Sequence, residues 1–104
     1  MSKRKRLNGK VRREEILTAA ITLAERVGYT NIDRAGVSKA AKCSEALVSS
    51  YFGTMPQLQK AVMRAAVARE CLKVIAQGLA IQDKHALKAP PDIKTAAANA
   101  IAAG

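Results

Sequence analysis

The chain has 104 residues, 49% of them hydrophobic but only 3% aromatic, and a formal net charge of +10. That length holds one domain with a modest core, and apolar content so rich in alanine favours close-packed helices over sheet. No apolar run approaches the ~18–20 residues of a bilayer span, and the N-terminus lacks the apolar stretch of a signal peptide.

The charge is unevenly placed. Seven of the 18 Lys and Arg residues fall in the first thirteen positions, and all 8 acids follow them. Residues 1–11 therefore read as a flexible basic arm, with Asn8-Gly9 as a turn signal. Its Lys3, Arg4, Lys5, Arg6 and Lys10 suit a polyanion, most simply nucleic acid. A solvated tail is the plain alternative. A membrane surface fits less well, because no large apolar face accompanies the cations.

A first helix is expected over 12–27. Its buried stripe is Ile16, Leu17, Ala20, Leu23, Ala24 and Val27, with Glu14 and Glu15 in the first turn and Gly28 as the stop. Residues 29–32 read as a loop. Asp33 is an N-cap for a helix over 34–41, with Val37, Ala40 and Ala41 inward. Lys42-Cys43 makes a turn, and Ser44 caps the next helix. Leu47, Val48 and Phe52 point inward there, leaving Glu45, Ala46, Ser49 and Ser50 outward. Gly53 ends that helix, Thr54 caps another, and Pro56 fits its first turn.

Residues 55–79 read as one long helix of ~37 Å. One stripe is Leu58, Ala61, Ala65, Ala68, Leu72, Ile75 and Leu79. A second is Met63, Val67, Cys71, Val74 and Ile81. A helix apolar on two faces must be covered on two faces. The second face needs either the chain's own C-terminus or a second copy, so Met63, Val67, Cys71 and Val74 are the expected dimerisation residues. Residues 82–88 are polar, and Pro90-Pro91 is a break. Asp92 caps an Ala-rich segment, 93–103, with Ile93, Ala97 and Ile101 on one side; it is either a short helix or without structure. The domain plan is thus an arm at 1–11, a helical domain at 12–81, and a C-terminal segment at 82–104.

Cys43 and Cys71 have neither CxxC nor metal-site spacing and read as reduced, packed thiols of a cytosolic protein. His85 reads as a surface residue. No Gly-rich phosphate loop, metal cluster or nucleophile beside a base speaks for an enzyme, so no cofactor or metal is expected.

Residues 33–52 outline two short helices around a tight turn, the device that lays a helix in the DNA major groove. From 13 to 62 the chain resembles the N-terminal DNA-binding domain of the TetR (tetracycline-repressor-like) family. The residues that carry the resemblance are Ile16-Leu17-Thr18-Ala19-Ala20, Gly28-Tyr29, the stretch 37–44, Tyr51-Phe52, and Thr54 through Leu58. It implies an all-α fold: a three-helix helix-turn-helix domain, a long fourth helix, and here a short C-terminal segment, helical or disordered. It also implies a homodimeric repressor on palindromic double-stranded DNA, placed in the cytoplasm at a bacterial nucleoid.

Ser44, Glu45, Ala46, Ser49 and Ser50 would face the groove. Arg34 would reach a guanine or a phosphate, Tyr51 a phosphate as its family counterpart does, and Lys39 and Lys42 the backbone. Three positions depart from the family pattern: Lys42 stands for the usual turn glycine, Ser49 for a tyrosine, and Met55 for a lysine. The family's larger ligand-binding domain has no counterpart in the 25 or so residues after the long helix, too few for a walled cavity. No small-molecule inducer is therefore expected, and such compact regulators suit plasmids or phages. The competing expectations are a low-specificity architectural or accessory DNA binder, in plasmid segregation or packaging, and a protein-interaction module.

Overall fold

The computed structural model describes residues 9–103, with side chains over 11–100. Among them it is all-helical: α1 Gly9–Val27, a 3-10 turn at Tyr29–Asn31, α2 Arg34–Ala41, α3 Glu45–Phe52, α4 Met55–Ala68, α5 Leu72–Ala80, α6 Lys84–Leu87 and α7 Pro91–Ala103. One core cluster runs from Ile16 and Leu17 of α1, through Val37, Val48 and Leu58, to Ile75 of α5 and Ala97 of α7.

The helix starts follow from side-chain caps. The Asp33 carboxylate accepts from the Gly36 N–H at 2.7 Å, and the Ser44 hydroxyl accepts from the Leu47 N–H at 3.0 Å. Thr54 and Gln57 form a reciprocal capping box, the Gln57 amide oxygen accepting from the Thr54 N–H at 2.9 Å. Each such cap stabilises its helix by about 1 kcal/mol.

Helix α1 begins at Gly9, three residues before the expected start. Its opening Lys and Arg residues are good helix formers and simply extend it. Glu14 and Glu15 are consequently not in its first turn, and they form ion pairs instead. Glu15 meets Arg12 at 3.1 Å, and Glu14 meets Arg69 of α4's C-terminal end. Val27, expected inward, is 42% exposed. Ala40 is exposed too, while Ala41 is half-buried.

The expected 55–79 helix is two helices. Glu70 takes a left-handed φ of 55°. Its N–H donates to the Val67 carbonyl at 3.1 Å, and the Cys71 N–H reaches back to Ala66 at 2.8 Å. This is a Schellman motif, which satisfies the last carbonyls of α4 and turns the chain. Lys42 and Gln82 end α2 and α5 with the same hydrogen-bond pattern and φ of 58° and 57°. All three motifs place an ordinary residue where glycine is strain-free.

Glu70→Gly is therefore expected to raise stability by about 1 kcal/mol. In a continuous helix the same change would lower it by about that amount. The sign of the shift in a urea melt separates the two.

Helix α7 lies along α5, the most extensive helix pairing in the molecule. Much of the second apolar face thus finds its cover within the chain, although Ile81 at its end is 50% exposed. Met63 and Val74 are fully buried, and Val67 and Cys71 are half-buried against the core. In this fold the side chains of Met63 and Val74 are buried within the chain itself. The core-facing positions of α4 are Leu58, Val62, Met63 and Ala66. Ala61 and Ala65 are only half-buried and Ala68 is exposed.

Helix α6 falls in a stretch expected to be merely polar. Asp83 caps it, accepting from the His85 N–H at 2.9 Å and the Ala86 N–H at 3.2 Å. His85 is half-buried rather than superficial. Burial lowers its imidazole pKa against the pull of Asp83, with Lys60, Lys88 and Arg64 acting in the same downward sense. Asp92 lies in the first turn of α7, one residue inside its start at Pro91.

Candidate nucleic-acid interface

Helices α2 and α3 are joined by three residues, Lys42 to Ser44. Two apolar side chains of α3 hold it down: Val48 is 1% exposed and Phe52 is 6% exposed. Helical periodicity then puts Glu45, Ala46, Ser49 and Ser50 on the opposite side. Ser44, Glu45, Ala46 and Ser50 are exposed, and Ser49 is half-buried. Lys39 and Lys42, before and within the turn, are also exposed. The left-handed Lys42 makes the turn tight enough for Ser44 to cap α3 two residues later.

Arg34 is less free than expected. It is half-buried, donates to the Gly53 carbonyl at 3.3 Å, and has its Nε buried without a hydrogen-bond partner. It ties the start of α2 to the end of α3, so part of its donor capacity is spent inside the fold. Tyr51 is half-buried, its ring tilted 50° to that of Phe52 with centroids 6.5 Å apart. Lys3, Arg4, Lys5 and Arg6 lie outside the described residues. So does the side chain of Lys10, whose backbone is the second residue of α1.

Two groupings were not foreseen. The first joins the 3-10 turn to the C-terminal half. The single proton of the Tyr29 hydroxyl is shared between two acceptors, the Gln59 carbonyl at 2.9 Å and the Asp83 carboxylate at 3.1 Å. The Tyr29 N–H donates to the Gln77 side-chain oxygen at 2.7 Å. Burial, then the charge and hydrogen bond of Asp83, push the phenol pKa well above its ordinary value of 10.0.

The second grouping is a groove of about 730 Å³ between α1, the end of α3 and α4, with Arg13, Lys60, Arg64 and Arg69 among its lining residues. The Arg13 guanidinium stands 4.8 Å over the Phe52 ring. Lys60 and Arg64 sit four residues apart on α4, a spacing that marks one helix face. That pair was legible in sequence; its apposition to Arg13 is tertiary and was not.

Cys43 and Cys71 are free and half-buried. Burial, then the nearby Glu25, raise the Cys71 thiol pKa, opposed by Arg69. Among the described residues no helix is long and apolar enough to cross a membrane. Comparison with family models, with curated proteins and with solved structures gives no match to this chain.

Proposed function

We propose that this chain is a DNA-binding transcriptional regulator in which α2, the Lys42–Ser44 turn and α3 act as a helix-turn-helix. Helix α3 would enter the major groove. The observation that supports this reading is the two-sidedness of α3: Val48 and Phe52 are locked in the core while Glu45, Ala46 and Ser50 stand exposed. Glu45 would accept from a cytosine amino group, Ala46 would meet a thymine methyl, and Ser49 and Ser50 would reach bases or phosphates. Lys39, Lys42 and the N-terminal cations would hold the backbone.

Occupying its site and blocking polymerase is the simplest mode of action, which makes repression the default. Two copies on a palindromic site would meet through a surface other than Met63 and Val74, because those side chains are buried in the chain itself. A second reading has support in the side chains of α3. Three of its four outward residues are Ala46, Ser49 and Ser50, which are small and offer few base-specific contacts. Low-specificity architectural binding is consistent with that.

Selection from a random duplex library at about 150 mM salt separates the readings. A recovered consensus supports the regulator, bound DNA without consensus supports the architectural protein, and no recovered DNA rejects both. A salt titration of DNA affinity, for the full chain and for a chain lacking residues 2–8, tests the arm. Losing four phosphate contacts would flatten the log–log salt dependence by about 3 to 4. An unchanged slope would show that the arm does not touch DNA.

A further inference from the structure

We infer that the groove between α1 and α4 is a docking site for an acidic amphipathic helix of a partner protein. The inference does not rest on the DNA-binding reading.

The groove follows one face of α4. Gln57, Lys60, Ala61, Arg64, Ala65 and Ala68 line it, at i, i+3, i+4, i+7, i+8 and i+11. That face is three helical turns, or ~17 Å at 1.5 Å per residue. Across from it stand Arg13 and Leu17 of α1, and Phe52 closes one end. Between these charged and polar side chains the floor is low and small-sided, formed by Ala61, Ala65 and Ala68. Alanines let another backbone come close, while Leu17 and Phe52 are held in place by the core. This is the shape that takes the apolar side of a helix of about three turns.

The rim fixes the sign of the partner. Four cations line the groove against one acid, Glu14. Glu14 is already engaged by Arg69 and lies 4.0 Å from Arg13. Lys60 and Arg64 are exposed and have no ion pair among the described residues. A helix with a leucine stripe flanked by Glu or Asp would fill the floor and neutralise Lys60 and Arg64 together. A nucleic-acid backbone would meet the cations but would set its phosphates over Leu17, Ala61 and Ala65, which offer no donor.

The probe is a fluorescein-labelled, helix-favouring peptide of about four turns. It carries leucines at i, i+4, i+7 and i+11 and glutamates beside them, and a control replaces every glutamate with lysine. Anisotropy reads affinity, and amide shifts of the isotope-labelled full chain read location. The acidic peptide is expected to bind, with shifts confined to residues 13–17 and 52–69, and the lysine control is not.

Lys60→Glu with Arg64→Glu should weaken binding about tenfold or more at an unchanged melting temperature. Ala61→Gln, which fills the floor without altering charge, should weaken it as well and covers the case in which the double variant misfolds. Failure of the acidic peptide to bind overturns the inference. So does equal binding by both peptides, shifts elsewhere on the molecule, or indifference to both variants. Duplex DNA that moves the same amides and displaces the peptide would reassign the groove to nucleic acid. Because the peptide titration contains no DNA, its failure leaves the library selection to be judged separately.

Discussion

Val74→Glu is expected to unfold the chain rather than to release a folded single copy. Val74 is 0% exposed, next to an equally buried Ile75, on the helix that α7 covers. A carboxylate there has no cation or donor arranged for it. An unpaired charge in such a place costs several kcal/mol, and the lost apolar contacts add roughly 1.5. Domains of this size have about 5–15 kcal/mol in total.

The expected result is a melting transition lowered by tens of degrees or lost altogether, since 1 kcal/mol moves the midpoint about 4–8 °C. Val67→Glu is the matched control. Val67 is half-buried at the edge of the same face, so its charge can reach water, and its cost should be near 1 kcal/mol. Circular-dichroism melts and sedimentation of both variants decide the matter. A Val74→Glu chain with a wild-type melt and a halved mass would mean that Val74 faces a second copy and not α7.

Tyr29→Phe carries the second largest expected effect. The ring would stay in its site, where it is 3% exposed, so packing is preserved and only the hydroxyl goes. Its removal leaves the Gln59 carbonyl without that donor and takes one from Asp83, which still caps α6. A lost buried hydrogen bond with its acceptors left behind costs about 1–3 kcal/mol, or roughly 5–20 °C of melting midpoint.

The effect has a pH signature. The fold holds Tyr29 as the neutral phenol, its pKa raised above 10.0 chiefly by burial. The unfolded chain releases that proton at the ordinary value, so above it deprotonation favours the unfolded state. The stabilisation from this group is therefore complete below about pH 10 and is lost as the pH rises further. Paired urea melts should show a constant gap between wild type and Tyr29→Phe at neutral pH, narrowing above ~10. A gap that stays constant into strong alkali would mean that the Tyr29 phenol titrates alike in the folded and unfolded chains.

The starts of α2, α3 and α4 were legible in the sequence because their signals are local. Asp33, Ser44 and Thr54 each stand just before an apolar-periodic run, and each accepts a hydrogen bond from its own first turn. Gly28 and Gly53 likewise end helices with positive φ. The end of α4 was not legible, because the left-handed residue there is Glu70 and carries no glycine or proline signal. Once the chain turns there, the face assigned to a continuous helix no longer runs straight, and Met63 and Val74 fall inside.

Alanine was the other source of error. It is apolar enough to count in a stripe, yet too small to require burial, so Ala40 and Ala68 fit an inward stripe by spacing and nevertheless stand exposed. In the candidate interface, periodicity alone placed the outward residues of α3. It gave no hint that Arg34 is tied to Gly53, nor that Arg13 and Lys60 share a groove, since both depend on how separate helices pack.

The Tyr29 contacts also bear on the order of assembly. Helices α5 and α7 are near neighbours in sequence and pack extensively on each other, so that pairing closes only a short loop. The hydrogen bonds of Tyr29 to Gln77 and Asp83 span 48 and 54 residues. The entropy of closing loops that long must be met before the contact returns anything. They are therefore expected to form late in folding. Weakening them should leave the folding rate nearly unchanged and quicken unfolding, which makes Tyr29 the clasp that sets how long this molecule stays shut.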